Sequence, residues 1–172
     1  SWLVYGAGFV QNPLRTLVKR AFDVVVATIL LVLALPVLAL AIAAIFVESG
    51  MPVFFSQERV GRAGRVFKCL KLRTMRVDAE VDGVPRWAAA GDARVTRVGR
   101  VLRKMRVDEI PQLLNVLVGD MSLVGPRPER PCFVDQLRNE IRFYDVRHSI
   151  KPGVTGWAQI RYPYGASVED AR

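Results

Sequence analysis

Between Val24 and Val47 the chain runs for 24 residues without a charged side chain, with Pro36 at the middle. No other feature limits the fold as strongly. A straight helix of that length measures about 36 Å, enough for a hydrocarbon core of about 30 Å. Pro36 removes one backbone hydrogen bond and crowds the preceding turn, which predicts a bend near Leu35. Each half, 24–35 and 37–47, is then about 17 Å long and too short to cross alone. Lys19 and Arg20 precede the segment, and Arg59, Arg62, Arg65, Lys68, Lys71, Arg73 and Arg76 follow it. Basic residues on both flanks predict a re-entrant helix-break-helix over 19–50 that enters and leaves by the cytoplasmic face. A proline-kinked true span is the alternative. A buried helix of a soluble globule is disfavoured, because so many uncharged residues exceed what the remaining chain encloses. Arg20 and Asp23, one turn apart, are expected to pair at the membrane boundary.

The rest of the chain is basic. Of 172 residues 51% are hydrophobic, and 25 Lys+Arg against 16 Asp+Glu leave a formal charge of +9. All the basic residues except Arg15, Lys19 and Arg20 fall in 51–172. The apolar content excludes intrinsic disorder. Two cysteines, Cys69 and Cys132, exclude a disulfide framework, and a single histidine, His148, excludes the His-cluster zinc motifs. Chemistry must therefore run on carboxylates and basic groups, with or without a hard cation. The chain opens on Ser1 and is apolar at once, so 1–18 reads as the lead-in of an excerpt from a longer protein.

Past Gly50 the elements shorten, and the expected fold is α+β, mainly helical, with a short β-hairpin. The hairpin pairs a strand at Pro52 to Gln57 with one at Val66 to Leu72 across the GRAG turn 61–64. Residues 78–92 read as loop. Helices are predicted over Val95 to Met105, over Ile110 to Val118 with Gly119 as its stop, and over about Asp135 to Val146.

The start of the second of these helices, Val107-Asp108-Glu109-Ile110-Pro111-Gln112, concentrates the chemistry. Asp108 is a natural N-cap, and Pro111 is tolerated in a first turn. A helix N-terminus favours anions, so both carboxylates are expected to stay ionised, and a phosphate can dock on the same N–H groups. Arg94, Arg97, Arg100 and Arg103 precede them at three-residue spacing, followed by Lys104 and Arg106. Paired carboxylates beside such an array suit a metal-assisted phosphoryl transfer, one carboxylate attacking and the other holding Mg²⁺ against phosphate oxygens. A well-capped helix beside a solvated or lipid-facing basic surface is the plainer reading. In GDMSLVGPRP at 119–128, two prolines flank Arg127, a backbone that either grips a phosphate through the guanidinium or forms a rigid surface turn.

Taken in order, KRAFD at 19–23, the proline-interrupted apolar segment, FFSQERVGRAGRVFKCLKLRTM at 54–75, DARVTRVGRVLRKMRVDEIPQLLNVLVGDMSLVGPRPE at 92–129 and KPGVTGWAQ at 151–159 resemble one family. It is the bacterial sugar transferases, monotopic polyprenyl-phosphate phosphoglycosyl transferases that begin exopolysaccharide, O-antigen and related glycan assembly. The C-terminal stretch looks most like exopolysaccharide-associated members. The resemblance implies a re-entrant membrane hairpin over 19–50 and a cytosolic catalytic domain over 51–172, on the cytoplasmic face of the bacterial inner membrane. It implies that Asp108 attacks the sugar-linked phosphate of a UDP-sugar, releasing UMP, and that undecaprenyl phosphate then takes the phosphosugar from Asp108. Glu109, with Asp108 beside it, matches the Mg²⁺-binding carboxylates. Lys71, Arg73 and Arg103 match basic positions near phosphates, and Arg127 the one at the nucleotide diphosphate.

Three departures accompany the resemblance. Leu35 stands where a small polar residue often precedes the membrane proline, Arg106 replaces a common Ser/Thr two residues before the nucleophile, and the chain stops before the usual C-terminal amphipathic segment. The competing readings are a membrane-anchored basic module for anionic lipid or nucleic acid, and an ordinary glycosyltransferase releasing UDP. Arginines clustered beside a carboxylate pair argue for a diphosphate substrate and against nucleic acid. The identity of the sugar and the oligomeric state, a homodimer included, stay open.

Overall fold

The uncharged run forms the longest element of the computed structural model, which describes residues 13–79 and 92–161. Helix α1 spans Pro13–Ser49, about 55 Å at 1.5 Å per residue. It starts six residues before the predicted boundary at Lys19, with a proline in its first turn, where the missing N–H has no helical partner anyway. The expected break at Leu35 is absent, and the helix runs through Pro36. Pro36 costs a single ladder bond, and residues on both sides of it pack along one stripe. Ala27, Leu31, Leu38, Ala41 and Ile45 recur on that stripe at helical spacing. Outside it the helix is bare, with Val25, Leu33, Leu40 and Val47 more than half exposed. Only 11% of its most apolar window is buried, whereas the core helix of a soluble globule is mostly buried.

Both ends of α1 are tied down. At the C-terminus Gly50 adopts the left-handed conformation at φ +67, and Arg73 Nη2 donates to the carbonyls of Ser49, at 2.9 Å, and Gly50, at 2.7 Å. A guanidinium at a helix C-terminus satisfies carbonyls that lack helical partners. At the N-terminal end the predicted Arg20–Asp23 pair does not form. Asp23 instead accepts from Lys19 and from the Ser122 hydroxyl, while Arg20 donates to the Val116 and Leu117 carbonyls. Residues three apart lie close on a helix, but the carbonyls ending the neighbouring helix offer Arg20 a better-aligned acceptor pair than one carboxylate.

The predicted hairpin forms, with strand β2 at Val66–Leu72 as expected and β1 at Phe54–Val60, shifted toward the turn from the expected Pro52 to Gln57; the strands are antiparallel in register from Phe54↔Leu72 to Val60↔Val66. A 3-10 turn at Arg62–Gly64 joins them, with Ala63 and Gly64 at positive φ. Helix α2, Arg97–Lys104, is capped twice. Thr96 Oγ1 accepts from Gly99 N at 2.9 Å, and Glu48 accepts from Arg97 N at 2.9 Å, so the end of α1 caps the start of α2. A 3-10 turn, Val107–Glu109, leads to helix α3 at Gln112–Val118, which Gly119 ends at φ +107. Strands β3, Ser122–Val124, and β4, Gly153–Thr155, pair in parallel. Helix α4 spans Pro131–Glu140, and the predicted continuation to Val146 is instead a separate 3-10 stretch at Tyr144–Ser149; a short α5 at Trp157–Arg161 follows β4. Two two-stranded sheets among helices give the expected α+β, mainly helical class. Most of the predicted 78–92 loop and the C-terminal stretch beyond 161 lie outside the described residues.

Two apolar clusters are built on α1. Leu38, Ala41 and Ile45 pack with Val53, Leu72, Leu102 and Val107, and Ala27 packs with Cys69, Leu113, Val116 and Met121. Each large side chain so buried contributes about 1.5–3 kcal/mol. The helix is thus part of the core of the unit that carries the carboxylates. Gly99 sets how closely α2 approaches the 74–75 segment, since a Cβ there would lie 2.1 Å from the Thr74 carbonyl oxygen. Gly99→Ala is expected to cost about 3 kcal/mol, because backbone must shift to admit it. A thermal melt should show it as a fall of about 5–10 °C.

Candidate functional site

The turn between α2 and α3 begins with a strained residue. Arg106 holds a left-handed backbone at φ 59, a conformation costing a non-glycine residue about 1–2 kcal/mol. The turn buries Val107 and Asp108 together. Asp108 therefore does not cap α3 as predicted; Pro111 holds the N-cap position, and Asp108 stands a turn earlier. Asn115 anchors this arrangement to the hairpin, donating to the Lys68 carbonyl at 2.8 Å and accepting from Leu70 N at 3.0 Å.

The two carboxylates have opposite surroundings. Glu109 is ringed by cations, with Oε1 2.8 Å from Lys71 Nζ and 3.8 Å from Arg127, and Oε2 3.5 Å from Arg106. Burial by itself would raise its pKa, but Lys71 and then Arg127 outweigh burial and hold it below the usual value. Asp108 is only 7% exposed, and its Oδ1 is buried with no hydrogen-bond partner among the described residues. Burial pushes its carboxyl up, with Lys71 and Arg103 opposing and the Glu109 charge adding to the rise. The two neighbours are thus shifted in opposite directions, upward at Asp108 because desolvation outweighs the nearby cations there, and downward at Glu109.

Of the predicted site residues, Lys71, Asp108, Glu109 and Arg127 come together, with Arg103 near enough for its charge to act on Asp108. Arg103 Nε is directed by the Thr74 hydroxyl at 2.7 Å. Arg127 is steadied through its carbonyl, which accepts from Arg147 at 2.8 Å. Arg73 sits elsewhere, buried against the end of α1. The periodic arginines do not act as one surface, for Arg94 is drawn onto Asp92 at 2.6 Å while Arg100 faces solvent.

Four residues not singled out from sequence line the same narrow cleft: Arg59, Cys69, Gln112 and Gln159. Arg59 is held by the Pro128 carbonyl at 3.0 Å and Gln57 Oε1 at 2.6 Å, and Gln159 Oε1 is buried without a partner. Two of them were findable. The register pairs Gln57 with Cys69 and Phe55 with Lys71, and strand alternation puts Arg59 and Cys69 on the Lys71 face. Gln112 and Gln159 reach the cleft only through the packing of α3 and α5.

Asp108 and Glu109 are the side chains of the site that could hold a divalent cation; among the described residues no group of three or more Asp, Glu, His or Cys is placed to do so. A buried carboxylate oxygen without a partner adjoins a second carboxylate, and Mg²⁺ is commonly held by one or two carboxylates completed by substrate phosphates. The cations around Glu109 complement the phosphates of such a substrate.

The family model for the bacterial sugar transferases matches residues 14–171. A UDP-N-acetylgalactosamine-undecaprenyl-phosphate N-acetylgalactosaminephosphotransferase of Aeromonas hydrophila is 47% identical over 161 residues, covering 94% of this chain and 38% of that protein. A UDP-glucose:undecaprenyl-phosphate glucose-1-phosphate transferase of Escherichia coli (strain K12) is 48% identical over 149 residues, covering 87% and 32%. A protein of the same name from Caulobacter vibrioides is 50% identical over 143 residues, covering 83% and 53%. The chain thus spans a third to a half of the length of these relatives.

Proposed function

Because the chain belongs to the bacterial sugar transferase family, we propose that it transfers a sugar-1-phosphate from a UDP-sugar to undecaprenyl phosphate through a covalent intermediate on Asp108. The observation that carries this reading is the buried Asp108 Oδ1, a carboxylate oxygen with no hydrogen bond, beside a carboxylate wrapped in cations. A desolvated, unpartnered oxygen is a reactive nucleophile. A basic module that only adheres to lipid has no use for it.

In the first step an Asp108 oxygen attacks the phosphorus that bears the sugar. A new P–O bond forms, the bridging P–O bond of the diphosphate breaks, and UMP leaves with that bridging oxygen. In the second, a phosphate oxygen of undecaprenyl phosphate attacks the same phosphorus, the acyl phosphate bond breaks, and the Asp108 carboxylate is restored. Lys71, Arg103 and Arg127 offset phosphate charge as it shifts between the two steps. Asp108 and Glu109 would hold Mg²⁺, which when bound supplies further neutralisation of phosphate oxygens. The covalent stage lets two anionic substrates occupy one site in turn. The relatives' names divide between N-acetylgalactosamine and glucose, so the donor sugar is not assigned.

The same reading seats the protein on the cytoplasmic face of the bacterial inner membrane, with α1 entering and leaving by one side. Polar anchors support it. Lys19, Arg20 and Asp23 at one end, and Glu48 and Ser49 at the other, all bind the unit that carries the dyad. A true span would drag that charged unit through hydrocarbon. The bare apolar flank of α1 then lies in one leaflet, and Pro36 marks its deepest point. One exposed cysteine at a time, Leu17→Cys or Met51→Cys, in a chain lacking Cys132 and with Cys69 buried, should react from the same side of sealed vesicles; reaction from opposite sides would establish a span.

Incubation with a UDP-sugar, Mg²⁺ and polyprenyl phosphate tests the reaction itself. UMP should appear in step with lipid-linked diphosphosugar. UDP in its place would mean an ordinary glycosyltransferase, and no nucleotide release from any common UDP-sugar would end the proposal.

A further inference from the structure

A second cleft, of about 510 Å³, opens at the far end of the hairpin from the carboxylates. Arg62, Arg65, Phe67, Gly119, Asp120 and Lys151 line it. Phe67 precedes Lys71 by four residues on β2, about 13 Å of strand, so this cleft and the dyad are distinct. Its charge is one-sided, with three cations on the lining and Asp120 the acid among them.

Two of the cations in this region are forced together. A Cβ on Gly119 would stand 3.4 Å from Arg20 Nη2 and 3.6 Å from Lys151 Nζ, so both charges crowd the same glycine. Arg20 is committed to the carbonyls that end α3. Lys151 is partly buried and, among the described residues, has no hydrogen-bond or ion-pair partner. Burial and then the charges of Arg20 and Arg62 lower its pKa. Like charges gathered in a partly enclosed hollow are unfavourable until an anion joins them.

The position indicates which anion. Arg20 is the last cation before the uncharged run of α1, so on the membrane seating proposed above, the cleft lies at the level of lipid headgroups. Exposed Val66 and Ala63 give it an apolar rim. We propose that this cleft binds the phosphodiester headgroup of an anionic phospholipid, at a site separate from the dyad. The inference rests on that seating, but not on the identity of the reaction.

Native mass spectrometry of the full chain in neutral-detergent micelles, with phosphatidylglycerol or phosphatidylcholine added, counts the lipid retained. The chain should retain phosphatidylglycerol about tenfold better than phosphatidylcholine. Arg62→Ala/Lys151→Ala should remove that preference, and Arg138→Ala, which alters an exposed arginine outside the cleft, should keep it. Preference surviving in the double variant would overturn the site. Displacement of phosphatidylglycerol by an equal concentration of inorganic phosphate would overturn the lipid as occupant, with free phosphate taking its place. UMP release by the double variant should match that of the unaltered chain, and selective loss of it would make the cleft part of the donor site. Absence of UMP release from the unaltered chain strikes the transferase reading and leaves the lipid count standing.

Discussion

Asp108→Asn should lower UMP release by more than about 10⁴-fold, the scale on which a nucleophile is missed, and should also make the fold more stable. The two effects share one cause. Asp108 is buried with Oδ1 unpartnered, and burial holds its carboxyl above the ordinary value of 3.8. The folded chain then binds a proton more readily than the unfolded chain does. Stability from this group is fully present below 3.8 and is lost as the pH rises through the raised folded value. Asparagine has the same shape and never carries that charge. The melting temperatures of the two proteins should lie close together at acidic pH, and the variant should melt higher at neutral pH. A variant that melts lower at neutral pH would show that Asp108 is stabilised by partners rather than strained. Turnover near that of the unaltered chain would remove Asp108 as nucleophile.

Lys71→Met should cut turnover about 10²–10³-fold and move the acidic limb of the pH profile upward. Lys71 Nζ lies 2.8 Å from Glu109 Oε1 and lowers the pKa of both carboxyls. Without it both rise. Because the attacking group must be ionised, activity should be lost at a higher pH than in the unaltered chain as the solution is acidified. Lys71→Arg restores the charge and should recover the position of the limb, with rate recovered in part because a planar guanidinium places its charge differently. A pH profile that Lys71→Met leaves in place would mean that the limb belongs to another group. A helix N-terminus acting alone would predict no such dependence on Lys71.

Local chemistry made much of this readable in advance. The hairpin followed from two β-rich runs around GRAG, and Gly119 ended α3 because a residue without Cβ takes φ +107 without strain. The dyad was legible because two adjacent acids among so many arginines are conspicuous in any register. Other features were not local. Asp108 reads as an N-cap only if the helix begins directly after it, whereas the left-handed Arg106 and the 3-10 turn delay the start to Gln112. Arg73 resembles a phosphate ligand by motif, yet its Nη2 is bound by the end of α1, 24 residues away in sequence. Gln159 has no pattern that would place it in the cleft.

The sequence by itself determined the division of the chain into an apolar helix and a basic α+β unit, because hydropathy and charge act through each residue's own contact with solvent. It also picked out the adjacent acids Asp108 and Glu109 and the basic residues near them. Only the tertiary structure decided that α1 runs unbroken through Pro36 and serves as the spine of the folded unit, since that depends on Leu38, Ala41 and Ile45 meeting Leu72 and Leu102. It alone decided how the paired acids divide their roles. Desolvation and charge act through space, so neighbours in sequence came to differ: Glu109 gathered Lys71, Arg106 and Arg127, while Asp108 kept a buried oxygen with no partner.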